Sequence, residues 1–330
     1  MKKLMLTTAL ASSLIASAAL AELKVSGALE VTLGSGETPA TGTKTNQGTT
    51  IGYENNISFS GGTKLTNGIE VKVTSGFEDS NLKNQSIHFI AGNTTVYIGT
   101  DQNGGNLDDG QSVPVVANPI EDSNFGLAVS YGGNKGTIHD QDVIGVIQKF
   151  GGGTISVGYA PKVGAKGTAD SNPAAADKTG SGMAIGYSGT FEGLSVLASH
   201  TVRDTDGNDA KEISATNIGA SYNFGSVTVG AQRHSVDDSN NGTTYTAGGD
   251  ATSTSVGAVF AASDAISVGL QVGKFESNTA GTVDEDTMSL TVGYNLGGAT
   301  ITAQYTTVDN EDGTSGKDGE AIELRIKQAY

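Results

Sequence analysis

The chain has no cysteine and no tryptophan, only five prolines among 330 residues, and just 16% charged residues. Without cysteine, disulfide frameworks, thiolate nucleophiles and Cys-ligated metals are excluded together. Glycine is abundant at 48 residues, about twice ordinary usage. With so little proline and no glycine at every third position, collagen-like and proline-rich linker architectures are excluded all the same. Basic residues are scarce too: 19 Lys and Arg stand against 35 Asp and Glu, a formal net charge of −16. Phosphate backbones are gripped through Lys/Arg patches, so the balance excludes nucleic acid as a partner.

Long apolar runs are missing except at the start. Lys2 and Lys3 precede an uncharged stretch from Leu4 to Leu20, and Ala19-Leu20-Ala21 fits the small-residue cleavage rule. This predicts a signal peptide over residues 1–21 and a mature chain from Glu22 to Tyr330. Beyond it no stretch approaches the roughly 18 apolar residues of a membrane helix. The mature chain is therefore either soluble or crosses a membrane as a barrel.

The period of the sequence separates these two. Phe125, Leu127, Val129 and Tyr131 alternate with small or polar residues, and so do Ile155, Val157 and Tyr159. The same beat runs through Ile266, Val268, Leu270 and Val272, through Met288, Leu290, Val292, Tyr294 and Leu296, and through Ile301, Ala303 and Tyr305. That is strand alternation with one apolar and one polar face. Short Gly, Asn or Asp turns are expected at 61–68, 91–94, 150–153, 190–193, 224–226, 261–265 and 296–299. Longer polar loops are expected at 34–49, 162–179, 203–211, 236–250 and 308–319. Strands of about ten residues, with tight turns on one rim and long loops on the other, predict a transmembrane antiparallel β-barrel. The count is 16 or 18 strands, depending on a hairpin at 113–132 whose first strand is flanked by Pro114 and Pro119. Closure follows because lipid offers no partner for an unpaired backbone group. Tyr53, Phe59, Phe77, Phe150, Tyr159, Phe224, Tyr294 and Tyr330 fall near strand ends, where interfacial aromatic girdles sit.

Signatures of catalysis are missing. There is no H-E-x-x-H, and His88, His139, His200 and His234 are far apart; G-x-S-x-G and a phosphate loop are also absent. Gly180-Ser181-Gly182 opens an alternating strand rather than a helix. No cofactor is expected, and the chain is not read as an enzyme. The acidic segments Asp204–Asp209 and Asp309–Glu320 do not place glycine and glutamate as an EF-hand loop requires, although weak Ca2+ binding by such loops is compatible with their composition.

The mature start Glu22-Leu23-Lys24-Val25-Ser26-Gly27, the block Ile57-Ser58-Phe59-Ser60-Gly61 leading to Gly68-Ile69-Glu70-Val71, the repeated Phe-Gly turns and the charged final strand ending in an aromatic resemble the general diffusion porins of alphaproteobacteria. In the closing signature Ile322, Leu324, Ile326 and Tyr330 fit, and Gln328 departs. The resemblance implies an outer-membrane pore for passive diffusion of small hydrophilic solutes and ions. It also implies a homotrimer in contact with outer-membrane lipid and lipopolysaccharide, and a loop folded inward after the fifth strand. Thr100 to Ser112, extending to Ser123, is the candidate loop. By alternation Lys24, Glu30, Glu70, Lys72, Glu323, Arg325 and Lys327 face the lumen. Because first and last strands adjoin in a closed barrel, Lys24, Arg325 and Lys327 are expected as one basic patch, with Lys72 also on the wall and Asp101, Asp108 and Asp109 offered by the inward loop. Opposed charges of this kind set up a transverse field at a constriction. A substrate-specific outer-membrane channel and a secreted adhesin or structural β protein stand as alternatives.

Overall fold

The structure is a computed structural model that describes residues 23–38, 40–41, 45–78, 81–99, 143–161, 181–205, 208–238, 250–278 and 281–330. The expected signal peptide and the segment 100–142 lie outside these residues.

The described chain forms strands β1 (Lys24–Thr38), β2 (Ala40–Thr41), β3 (Thr45–Lys64), β4 (Glu70–Glu78), β5 (Asn81–Ala91), β6 (Thr94–Gly99), β7 (Val143–Phe150), β8 (Gly153–Ala160) and β9 (Gly182–Phe191). They continue as β10 (Leu194–Thr205), β11 (Asn208–Asn223), β12 (Val227–Asp238), β13 (Ala251–Ala261), β14 (Ile266–Ser277), β15 (Glu285–Asn295), β16 (Ala299–Asp309) and β17 (Lys317–Ala329). Apart from the two-residue β2, which pairs with the start of β17, each strand lies antiparallel to its sequence neighbours. β1 pairs with β3 on one side and with β17 on the other, so the wall is a closed barrel of 16 strands with no free edge. The choice between 16 and 18 is decided between β6 and β7. Val96 and Ile98 pair directly with Val146 and Ile144, so residues 100–142 insert no wall strand between them.

Six of the seven tight turns fall at the expected places, and the first is displaced to 65–69 because Gly61 to Lys64 still pair within β3. Glu192 (φ 47) and Gly193 (φ 92) both take the left-handed conformation between β9 and β10, the two-residue geometry that matches strand twist. At the next such turn the Asn223 Oδ1 accepts the Gly225 N–H at 2.6 Å, and Gly225 carries φ 96. An even strand count places Lys24 and Ala329 on this same rim. Two of the expected loops are largely strand instead. β1 and β3 run into residues 34–49 and pair as far as Thr38 with Thr45, while β10 and β11 leave only 206–207 between them. Polar sequence does not stop a ladder when both strands continue to pair.

Burial is inverted relative to a soluble protein, where apolar side chains fill the interior. Ile218 is 60% exposed while Asn217 beside it is 1% exposed, and Leu290 is 45% exposed beside Ser289 at 4%. The exposed set is an outward belt that includes Val25, Leu29, Tyr53, Ile98, Ile144, Val157, Ile185, Val256, Leu270, Val292, Ile322 and Ile326. Near its turn-side edge stand Phe150, Phe191, Phe224, Phe260, Tyr294 and Tyr330, all exposed, with Tyr222 and Phe224 in edge contact at 4.6 Å. Such a surface is stable only against acyl chains, with aromatics at the interface.

Candidate pore lumen

The inward face divides into arcs of different chemistry. The most highly charged arc straddles the seam between β17, β1 and β3. Glu30 stands opposite Lys327 on one neighbour and opposite Glu54 on the other. Its Oε1 lies 2.9 Å from Arg325 Nε and its Oε2 3.3 Å from Lys327 Nζ, while Arg325 Nη2 reaches Glu323 Oε1 at 3.0 Å. Glu54 accepts a hydrogen bond from the Asn56 amide. Arg325 and Glu30 are almost fully covered, whereas the Lys327 side chain is half exposed to the lumen. Two cations and three carboxylates meet in this cluster, so it is a mixed ionic network with an acidic balance.

The sequence-predicted basic residues are thus only partly gathered. Arg325 and Lys327 share Glu30, as the adjacency of first and last strands requires. Lys24 lies opposite Ser60, six positions along β1 from Glu30, or about 20 Å at a strand's rise per residue. It therefore belongs to the turn-side rim and not to the same patch. Lys72 stands on β4 opposite His88 on β5. Beside it, Ser86 bridges the Thr74 hydroxyl at 2.5 Å and the His88 ring at 2.8 Å. Asp101, Asp108 and Asp109 lie outside the described residues.

Two features of the inner wall escaped the sequence. Tyr97, Val143, Ala160 and Ala184 form a fully covered apolar patch on β6 to β9, with Ile147 packed against it. The Tyr97 ring lies over Gly145, whose missing side chain leaves the room: a Cβ there would come within 2.3 Å of the ring. A second patch joins Ile213, Ala215, Val236, Ala251 and Phe275 on β11 to β14. Alternation hides Tyr97, because Val96 and Ile98 beside it are apolar as well and either face could be the outer one. Register settles it. Val96 and Ile98 align with the exposed Val146 and Ile144, which turns Tyr97 inward.

From β11 to β16 the described inward positions outside this second patch include amides and hydroxyls at Asn217, Gln232, Ser253, Ser255, Gln271, Ser289, Thr291, Thr302, Gln304 and Thr306, with Glu285 as an acidic residue at the loop-side end of β15. Gln232 donates to Asn217 Oδ1 at 2.9 Å; Gln304 donates to Thr306 Oγ1 at 3.0 Å, which donates in turn to Ser289 Oγ at 3.2 Å. Among the described residues no group of three or more His, Asp or Glu side chains is gathered to hold a metal ion. At the loop rim, acidic groups of the segment 309–320 are engaged locally: Lys317 Nζ lies 2.6 Å from Glu311, and Asp318 accepts the Asn310 N–H at 2.9 Å.

A closed wall, apolar outside and polar within, matches the family description Gram-negative porin over residues 7–314. The chain belongs to the Gram-negative porins. Solved structures agree on the fold. This porin superposes on a porin refined at 1.8 Å with a TM-score of 0.64, at 15% identity over 94% of this chain and 100% of that one. It superposes equally on an anion-selective porin from Comamonas acidovorans, at 14% identity over 94% and 100% of the two chains. A loop-deletion mutant of OmpT, an outer membrane protein of Vibrio cholerae, gives a TM-score of 0.65 at 13% identity over 93% and 99%. No curated protein matches the sequence. The porin therefore resides in the bacterial outer membrane, in contact with its lipid, as a diffusion pore. Its family and fold are those of channels that carry out no chemistry.

Proposed function

We propose that this porin admits small hydrophilic solutes and ions without a dedicated substrate, and does so as a homotrimer with one pore per barrel. The observation that carries the reading is the inverted burial around a closed 16-stranded wall, since a barrel of this width encloses a water-filled lumen. In this reading residues 1–21 are the cleaved export signal, and outer-leaflet lipopolysaccharide meets the loop-side part of the outward belt.

The segment 100–142 is proposed to fold inward and set the constriction, with Asp101, Asp108 and Asp109 facing the charged seam of Glu30, Arg325 and Lys327. Two observations support it. The segment leaves the wall at β6 and re-enters at the neighbouring β7, so all of it is available to the lumen or the rim. The described residues that flank it in sequence, Gly99 and Val143, adjoin or belong to the covered apolar patch of Tyr97 and Val143, which would be unfavourable against water. The test is planar-bilayer recording with reversal potentials under a salt gradient. Openings in steps of three, and a selectivity that moves toward anions when Asp101, Asp108 and Asp109 are replaced by Asn, are expected. Unchanged selectivity in the triple variant would remove these residues from the constriction.

A further inference from the structure

The two rims of the barrel carry charge of opposite sign. On the turn side, Lys24 opens β1, Lys72 lies two positions after the start of β4, Lys149 one before the end of β7 and Lys327 two before the end of β17. Lys24, Lys72 and Lys149 are exposed, and the Lys327 side chain is half exposed. Alternation turns all four toward the lumen; Lys149 shares its face with Ile147, which packs on the Tyr97 patch of the inner wall. Lys64 and Glu70 stand opposite each other beside the β3–β4 turn and offset one another. Glu192 and Asp264 are exposed in the tips of the β9–β10 and β13–β14 turns, on another part of the rim. The inner wall from β17 through β1 to β7 therefore presents a basic collar at its turn-side end.

At the loop-side ends of β12 to β16 the balance reverses. Asp237, Asp250, Glu276, Asp284, Asp286 and Asp309 are all exposed there. Against them, among the described residues of the same stretch, stand Arg233 and Lys274, the latter 2.7 Å from Asp284. These carboxylates sit on the rim and its outer flank, so they act on ions that gather at the mouth. Glu276 lies ten positions from Ile266 at the turn-side end of β14, about 25 Å along the pore axis at a strand's rise and a barrel's tilt. The screening length in 0.1 M salt is about 10 Å, so neither rim cancels the other.

An acidic mouth concentrates cations and a basic mouth concentrates anions. We propose that this porin rectifies, passing more current when the loop side is positive. With that sign, cations are drawn in through the acidic rim and anions through the basic collar, each from the mouth that has enriched it, and the lumen fills with carriers. With the opposite sign each ion enters through the mouth that excludes it, and the lumen is depleted. Without a driving force the asymmetry moves nothing; it sets how steeply flux in each direction follows the potential. The inference rests on the pore reading above and adds a direction to it.

The experiment records the full-length protein in planar bilayers at equal voltages of either sign. Orientation comes from Ser226→Cys, a turn-rim position in a chain without other cysteines: biotinylated there, the pore responds to streptavidin only from the turn side. In about 0.1 M potassium chloride the wild type should carry about two-fold more current with the loop side positive, falling toward equality at about 1 M, where screening shortens to about 3 Å. Equal currents at low salt, or the larger current with the loop side negative, overturn the proposal. The triple variant K24Q/K72Q/K149Q should bring the low-salt ratio close to one, and D237N/D250N/E276Q should lower it. A ratio unchanged in both variants also overturns it. A wild type that passes no salt at all instead refutes the pore reading itself.

Discussion

Gly27 and Tyr330 hold each other through both of their backbone groups. The Gly27 N–H donates to Tyr330 O at 3.0 Å and the Tyr330 N–H donates to Gly27 O at 2.9 Å. The Tyr330 ring then lies over the glycine, where a Cβ would approach its carbons to 2.6 Å and the Asn56 carbonyl to 2.5 Å. The phenol finishes the join by donating to Asn55 Oδ1 at 2.8 Å. Substituting Gly27→Val should therefore lower the fraction of heat-resistant, compact protein on a semi-native gel. Tyr330→Phe keeps the ring and should cost at most about 1 kcal/mol, the value of one exposed hydrogen bond.

Glu30 organises the seam by accepting from Arg325 and Lys327 at once. In Glu30→Gln two cations lose their shared anion in a nearly covered site. The expected outcome is a reversal potential shifted toward anion preference, together with a loss of about 2 kcal/mol in denaturant-induced unfolding within lipid vesicles. An unshifted reversal potential would mean that ions do not pass close to this cluster.

Tyr97 and Gly145 should be energetically coupled. Gly145→Val drives a side chain into the phenol ring and should destabilise the barrel by about 1–3 kcal/mol, as overpacking does. Adding Tyr97→Ala should restore part of that loss, so the double-variant cycle is strongly non-additive. Additive losses would show that the ring does not depend on the glycine.

Neighbouring residues on opposite faces should respond in opposite ways to one substitution. Leu290→Arg places a cation on the acyl-chain side and should cost about 2–4 kcal/mol near the bilayer centre. Ser289→Arg, one residue earlier, faces the lumen side, where the cation can reach water past its neighbours; it should cost clearly less than Leu290→Arg while lowering conductance. Refolding titrations and single-channel records on the pair measure both.

Much of this was legible in the sequence because a barrel wall has only one period and one kind of tight turn. The alternation around Leu270 and Leu290 and the turn at Glu192-Gly193 left little freedom. Strand ends were harder. At residues 34–49 and 203–211 polar, glycine-rich sequence suits either a loop or a ladder that continues above the membrane, and only the partner strand decides. The adjacency of Glu30 with Arg325 and Lys327 followed from closure, while Glu54 was not anticipated, since its place beside Glu30 depends on the register of β3.

The seam between β1 and β17 also bears on how the molecule is made. Ala28 pairs with Ala329, so the final ladder joins residues separated by nearly the whole chain. Contacts of such sequence separation form slowly, because loop entropy is lost before any pairing offsets it. Until they form, β1 and β17 are open edges that invite pairing with other chains. The barrel can close only after β17 has been made, so the time for which both edges stand open is set by the rate of this one seam more than by the stability of any one hairpin.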